Sequence, residues 1–365
     1  MSLTTVLKMV FSIIMVSCTM SSSYATELDT EVSSKLKFKG DLRLRHQSEK
    51  LDSGVSRQRY RIRFRLGGES NISEQTSVKF GLASGGVDPR STNQTLQNSF
   101  QTPDIRLDYA FVKHQYSSTL TGFAGKMKNP LFKTSDMLWD SDINPEGVAV
   151  RYKTSFFGVK SFINGGYFVL DELSANENDI YLISLQQGGH HKVNSSTSFN
   201  GAIGYYQTQN LKGNILDNSA ETNTGSTTGL PDDFASIVVS GKLSFSNILG
   251  VALISPFAEV VTNVNQDSNN NGGIFGVKVG DEKLNAPKKW QSTLSYRYLQ
   301  ADAWLDILPD SDAYGGSTNI EGFEVKYSYA TSNKSKVTVD VYMTDIISGT
   351  SDAQFLGQLD YSYKF

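Results

Sequence analysis

The last eleven residues alternate almost without a break. Phe355, Gly357, Leu359, Tyr361, Tyr363 and Phe365 share one parity, while Leu356, Gln358, Asp360, Ser362 and Lys364 share the other. Successive residues of a strand point to opposite faces, so the segment presents one apolar, aromatic face and one mostly polar face. At the other end, Lys8 precedes an apolar run from Val10 to Val16, and Ser23-Tyr24-Ala25 has the small-x-small form of a cleavage site. That run is too short to span a membrane as a helix and reads as a secretory signal over residues 1–25. A lipoprotein signal acylated at Cys18 is the rival, and Met15 fits it poorly. Together the two ends predict an all-β chain, a transmembrane antiparallel β-barrel over residues 26–365.

Composition is compatible with this. Cys18 is the sole cysteine, so the chain beyond the leader has no disulfides and no thiol chemistry. Loss of the leader removes Lys8 and no acid, so 33 basic residues face 37 acidic ones, a net charge of −4. Any electrostatic function must come from local distribution. The mean hydropathy is below zero, as a barrel requires, because only alternate residues meet lipid.

Period-2 rows recur along the chain. Leu36, Phe38, Leu42 and Leu44 form one; Tyr60, Ile62, Phe64 and Leu66 the next; Ile105, Leu107, Tyr109 and Phe111 another. The C-terminal third is clearest, with Phe323, Val325, Tyr327 and Tyr329 followed by Val337, Val339, Val341 and Met343. The spacing predicts about 16 strands, an even number, at about 21 residues per strand and connection. Connections alternate between short turns, as at 331–334, and long loops, as at 84–103, 127–146, 207–233 and 300–318, the asymmetry of periplasmic turns and external loops. A soluble sandwich or β-helix is the competing architecture, but rarely places aromatics at the ends of so many strands.

The second strand carries the sharpest local signal. Opposite its apolar row lie Arg57, Arg59, Arg61, Arg63 and Arg65. The first strand matches, with Lys35, Lys37, Lys39, Arg43 and Arg45 opposite its own apolar row. If the apolar rows face lipid, the two strands present a basic ladder to the lumen, where charges are tolerated. Three roles compete for it: wall arginines neutralised by acids of an inward-folded loop, one side of a mixed-charge eyelet, or a dedicated anion site. The acids offered are Asp136, Asp140, Asp142 and Glu146, in the long turn-rich segment after the fifth strand. A purely external loop is the plainer reading of that segment.

Other motifs are weaker. Asp267, Asn269, Asn271 and Gly272 match the start of an EF-hand loop, but its twelfth position is Lys278. His190 and His191 are adjacent and would point apart on a strand. His114 shares parity with Arg106 and Asp108 and would face the lumen. No Gly-x-Ser-x-Gly elbow or HExxH pair occurs. The sequence nominates no catalytic residue, no metal site, no cofactor and no nucleic-acid partner.

Ser91-Thr92-Asn93-Gln94-Thr95-Leu96, Gly125-Lys126-Met127-Lys128-Asn129-Pro130 and Trp139-Asp140-Ser141-Asp142-Ile143-Asn144-Pro145-Glu146-Gly147 resemble the bacterial "putative porin" family. So do Gly40-Asp41-Leu42-Arg43-Leu44-Arg45, Arg57-Gln58-Arg59-Tyr60-Arg61-Ile62-Arg63 and the ending Leu359-Asp360-Tyr361-Ser362-Tyr363-Lys364-Phe365. The resemblance implies a 16-stranded outer-membrane porin of a Gram-negative-type bacterium, commonly a homotrimer, with no particular solute. The expectation is a passive channel for small hydrophilic solutes and ions, seated in outer-membrane lipid. The alternatives are a substrate-selective channel or a loop-mediated receptor or adhesin, an outer-membrane hydrolase, and a structural barrel plugged by its loops.

Overall fold

In a computed structural model, the structure describes residues 36–156, 158–174 and 178–365. The signal segment and Lys35 lie outside the described residues. Seventeen strands occur in chain order: β1 (Leu36–Leu51), β2 (Arg57–Asn71), β3 (Thr76–Ser84), β4 (Gln94–Thr95), β5 (Ile105–Gln115), β6 (Leu120–Lys126), β7 (Glu146–Phe156), β8 (Val159–Asp171) and β9 (Ile180–Lys192), then β10 (Thr197–Gln209), β11 (Ala235–Ile248), β12 (Val251–Asn263), β13 (Asn271–Gly280), β14 (Trp290–Leu299), β15 (Ile320–Ala330), β16 (Ser335–Ile346) and β17 (Gln354–Lys364). Sixteen of them form a closed antiparallel barrel, and the two-residue β4 is an extra piece laid against β2. The seam is β1 against β17, with Asp41 opposite Lys364 and Leu51 opposite Gln354. Closure pairs the strand edges that lipid could not satisfy.

The alternation sorts side chains by solvent. On β17, Phe355, Leu359, Tyr361 and Tyr363 are exposed on the outer wall, while Gln354, Leu356, Gln358 and Asp360 are buried on the inner one. On β16, Val339 and Met343 face out, and Thr338, Asp340, Tyr342 and Thr344 face in. Aromatics gather on the outside near the short-turn end: Trp290 stacks on Tyr327 with ring centroids 6.2 Å apart, and Phe64 on Phe365 at 6.1 Å. Amphipathic rings favour that depth, where hydrocarbon meets headgroup.

One row departs from the sequence expectation. Ile105 and Leu107 face outward, but Tyr109 and Phe111 are buried inside. The cause is a bulge: Gly81 pairs with Tyr109 and Leu82 with Leu107, so Asp108 is an extra residue. A one-residue insertion reverses the facing of everything beyond it. Tyr109 fits because its neighbours are glycines; a Cβ on Gly67 or Gly81 would occupy its ring. The same reversal corrects His114. It pairs with Thr76 and bonds its Oγ1 at 2.8 Å, on the side of exposed Val112 rather than with Asp108.

Candidate functional site: the barrel interior

The arginines of β1 and β2 converge on the inner wall, each with its own partners. Arg45 is buried, with Nε 2.7 Å from Asp360 Oδ1 and Nη1 3.0 Å from Asp312. Arg43 lies 3.5 Å from Asp360. Arg63 and Arg65 share Asp41, at 2.7 and 2.9 Å, and Arg59 meets Glu49 at 2.7 Å. Arg61 donates only to neutral acceptors: Gln47 at 3.2 Å, Ser91 at 3.3 Å and the Asn93 carbonyl at 3.4 Å. Neither Arg61 nor the exposed Arg57 makes an ion pair among the described residues. Arg57, Arg59 and Arg61 line a recess of about 290 Å³ with Glu49, Asp88 and Asp312.

The loop of residues 127–145, after the fifth barrel strand, runs inside the barrel. Phe132 N donates to Gln186 of β9 at 2.8 Å, Ser135 Oγ to Glu259 of β12 at 2.9 Å, and Asp136 lies 3.6 Å from Arg297 of β14. These partners are buried inner-wall residues.

Its acids do not collect on the ladder as the sequence suggested. Asp142 reaches Arg65 at 3.2 Å and accepts from Thr92 N and Oγ1 at 3.0 and 2.8 Å. Asp140 turns away, accepting from Ser311 N at 2.9 Å. Asp136 belongs to the opposite wall. Glu146 is no loop residue: it opens β7 and pairs with Lys126 of the adjacent strand. Most of the counter-charges come from the wall itself, Asp41 and Glu49 from β1 and Asp360 from the adjoining β17, with Asp312 of the 300–319 loop added at Arg45. Cross-strand neighbours sit within about 5.5 Å, so an acid on the next strand needs no loop to deliver it.

The far wall carries a mixed network. Arg297 contacts Glu324 at 2.9 Å and Asp310 at 3.4 Å, and Lys326 bridges Glu324 at 2.7 Å and Asp340 at 2.8 Å. Between the walls, burial foremost and then the charge of Asp142 push the Asp140 carboxyl up to about 7. Burial, then Asp136, also raises Asp310 well above its ordinary value.

The loop of residues 300–319 is the feature that sequence reasoning treated as merely long. Trp304, Leu305 and Leu308 are buried, and Asp302, Asp306 and Asp310 with them. The signal was available: an apolar Trp-Leu-x-Ile-Leu run inside a loop, with an acid at every fourth position from 302 to 310. Among the weak motifs, Asn271 and Gly272 belong to β13, and His190 bonds Asn200 at 2.9 Å.

A closed 16-stranded barrel with an apolar exterior, charged interior walls and a loop folded inward is the geometry against which relatives can be weighed. The "Putative porin" family matches residues 51–236 and 228–365. The chain belongs to that family. It is thereby an outer-membrane channel for the diffusion of solutes in a Gram-negative bacterium. Solved porins share the fold. OprB of Pseudomonas putida, in its high-pH structure, aligns with a TM-score of 0.61 at 12% identity, over 92% of this chain and 96% of that one. OmpF of Salmonella typhi, in complex with daunomycin, gives 0.52 at 12%, over 90% and 97%. The channel DcaP of Acinetobacter baumannii gives 0.50 at 12%, over 91% and 98%. No curated protein sequence matches the chain. Family and fold are those of a channel rather than an enzyme.

Proposed function

We propose that this porin conducts small hydrophilic solutes and ions passively, past a constriction bounded by the β1–β2 arginines and the 127–145 loop. The observation that carries this reading is the loop's course: it leaves one wall, is hydrogen-bonded to Gln186 and Glu259, and brings Asp136 within 3.6 Å of Arg297 across the interior. A loop so placed narrows the lumen, and the charges it leaves uncovered set the ion preference. On that basis Arg43, Arg45, Arg59, Arg61, Arg63 and Arg65 are wall residues of the pore, with Arg57 at its mouth. Asp136, Asp140 and Asp142 are the acids of the constriction loop. The net local charge on the ladder side is positive, because Arg57 and Arg61 lack carboxylate partners. Homotrimeric assembly is part of the proposal; the Vibrio cholerae porin OmpT, aligned with a TM-score of 0.51, is described as a trimer. Removal of a secretory signal over residues 1–25 belongs to it as well.

Liposome swelling with uncharged solutes of graded size tests the reading. The expected result is uptake that falls smoothly with solute size and rises linearly with concentration. Saturable uptake of one solute would favour a substrate-selective channel.

A further inference from the structure

We propose that the loop of residues 300–319 is the second half of the constriction: a clasp that fixes the 127–145 loop across the lumen, so that both together set the size limit for solutes. The inference rests on the channel reading and deepens it.

The clasp begins with an apolar run buried inside a membrane barrel rather than solvated outside it. Trp304 is 2% exposed. Its indole packs edge-on to Trp139, with centroids 6.2 Å apart, and to Tyr206 of β10 at 5.1 Å. Its Nε1 donates to the Leu138 carbonyl at 2.6 Å. Backbone bonds continue the joint: Asp140 N to Leu308 O at 2.7 Å, and Asp310 N to Asp136 O at 3.2 Å. The far end of the 127–145 loop is thus held by main-chain and indole bonds from residues 304–310.

The acids of the clasp anchor it to separate elements. Asp302 accepts from Thr224 N and Oγ1 at 2.7 and 2.6 Å, and Asp306 from Thr222 N at 2.8 Å and Asn223 N at 3.1 Å. All three donor residues lie in the 210–234 loop. Asp310 and Asp312 reach Arg297 and Arg45 on the barrel wall, at 3.4 and 3.0 Å. Arg90, from the 85–104 loop, donates to the Asp306 carbonyl at 2.9 Å. One segment therefore ties three other loops to one another and to two sectors of the wall. The buried carboxylates are satisfied by donors from outside the segment, the 210–234 loop for Asp302 and Asp306 and β14 for Asp310, so the acids work as fasteners. A solute that skirts the 127–145 loop must also pass this segment, and loosening the segment frees the loop's far end.

The test is single-channel conductance in planar bilayers, with polyethylene glycols of graded size as blockers, on wild-type protein and two double variants. Trp304→Ala with Asp306→Ala removes packing and bonds. Trp304→Phe with Asp306→Leu keeps most of the volume and breaks the same bonds. Heat-modifiable mobility establishes that each barrel is folded. Both variants are expected to conduct more than wild type, roughly two-fold for the alanine pair, and to admit larger polymers, since the narrowest section governs both. Wild-type conductance and polymer cutoff in both folded variants would overturn the clasp. A folded wild type that conducts nothing beside conducting variants would uphold the clasp and contradict the passive-channel reading. Silence from all three folded proteins would overturn both.

Discussion

Arg45 and Asp360 sit directly opposite each other across the β1–β17 seam and make a double bond of charge, Nε to Oδ1 at 2.7 Å and Nη2 to Oδ2 at 2.9 Å. Arg45 also holds Asp312 of the 300–319 loop at 3.0 Å. The residues that close the cylinder thus also fasten a loop inside it. Removing one member of a buried pair costs about 3–5 kcal/mol where the other charge is left unpaired, but Asp312 still pairs Arg45 when Asp360 is lost. Asp360→Ala should lower unfolding stability in lipid vesicles, by less than that amount. The fourfold variant Arg43→Met, Arg45→Met, Asp360→Leu, Asp312→Asn should recover most of it, because neutral replacement of a whole ion cluster costs little. A single variant as stable as wild type would show that the pair does not hold the seam.

The facing of the wall gives a second test. Val325 is exposed on the outside, while its chain neighbours Glu324 and Lys326 turn inward and meet at 2.7 Å. Charge at this depth is therefore tolerated on one face only. Val325→Arg should cost about 2–4 kcal/mol, the penalty for a cation at the lipid-facing midplane, and Val325→Leu almost nothing. Folding titrations into vesicles check this; equal stabilities would reverse the face assignment.

Much of this architecture is legible in the sequence, because alternation is local. The apolar rows, the even strand count and the inward facing of Arg43 to Arg65 all follow from a period of two. What escapes is whatever depends on a single residue or on distant pairing. The extra Asp108 in β5 turns Tyr109, Phe111 and His114 over, and no compositional cue marks it. The partners of the ladder are equally hidden. Asp360 lies 315 positions from Arg45, and only the closing register brings them together, whereas the nearby acids Asp140 and Glu146 go elsewhere. The fastening role of Asp302, Asp306 and Asp310 depends on donors from three other segments, which no periodicity reports.

A pH dependence follows from the joint between the two inward loops. Burial, then the charge of Asp142, raises Asp140 from an ordinary 3.8 to about 7, and Asp310 is raised in the same sense. A carboxyl with a raised folded value favours the joint while protonated. Its contribution is full below about pH 4 and is lost as the pH climbs towards 7. Open-channel noise should therefore grow between pH 4 and 8, and Asp140→Asn, permanently neutral, should shrink that growth. A wild type equally quiet across the range, or an Asn variant indistinguishable from it, would contradict the assignment.

If solutes pass a wall whose uncompensated charge is Arg57 and Arg61, the reversal potential under a potassium chloride gradient must depend on both. The Debye length shrinks from about 10 Å at 0.1 M to about 3 Å at 1 M, so the measurement belongs at low salt. Arg57→Ser with Arg61→Ser should move the reversal potential towards cations. Arg63→Ser should move it less, because it removes one charge rather than two, and high salt should blunt both shifts. A reversal potential unchanged by the Arg57 and Arg61 pair at low salt would place those arginines off the conduction path and contradict the account.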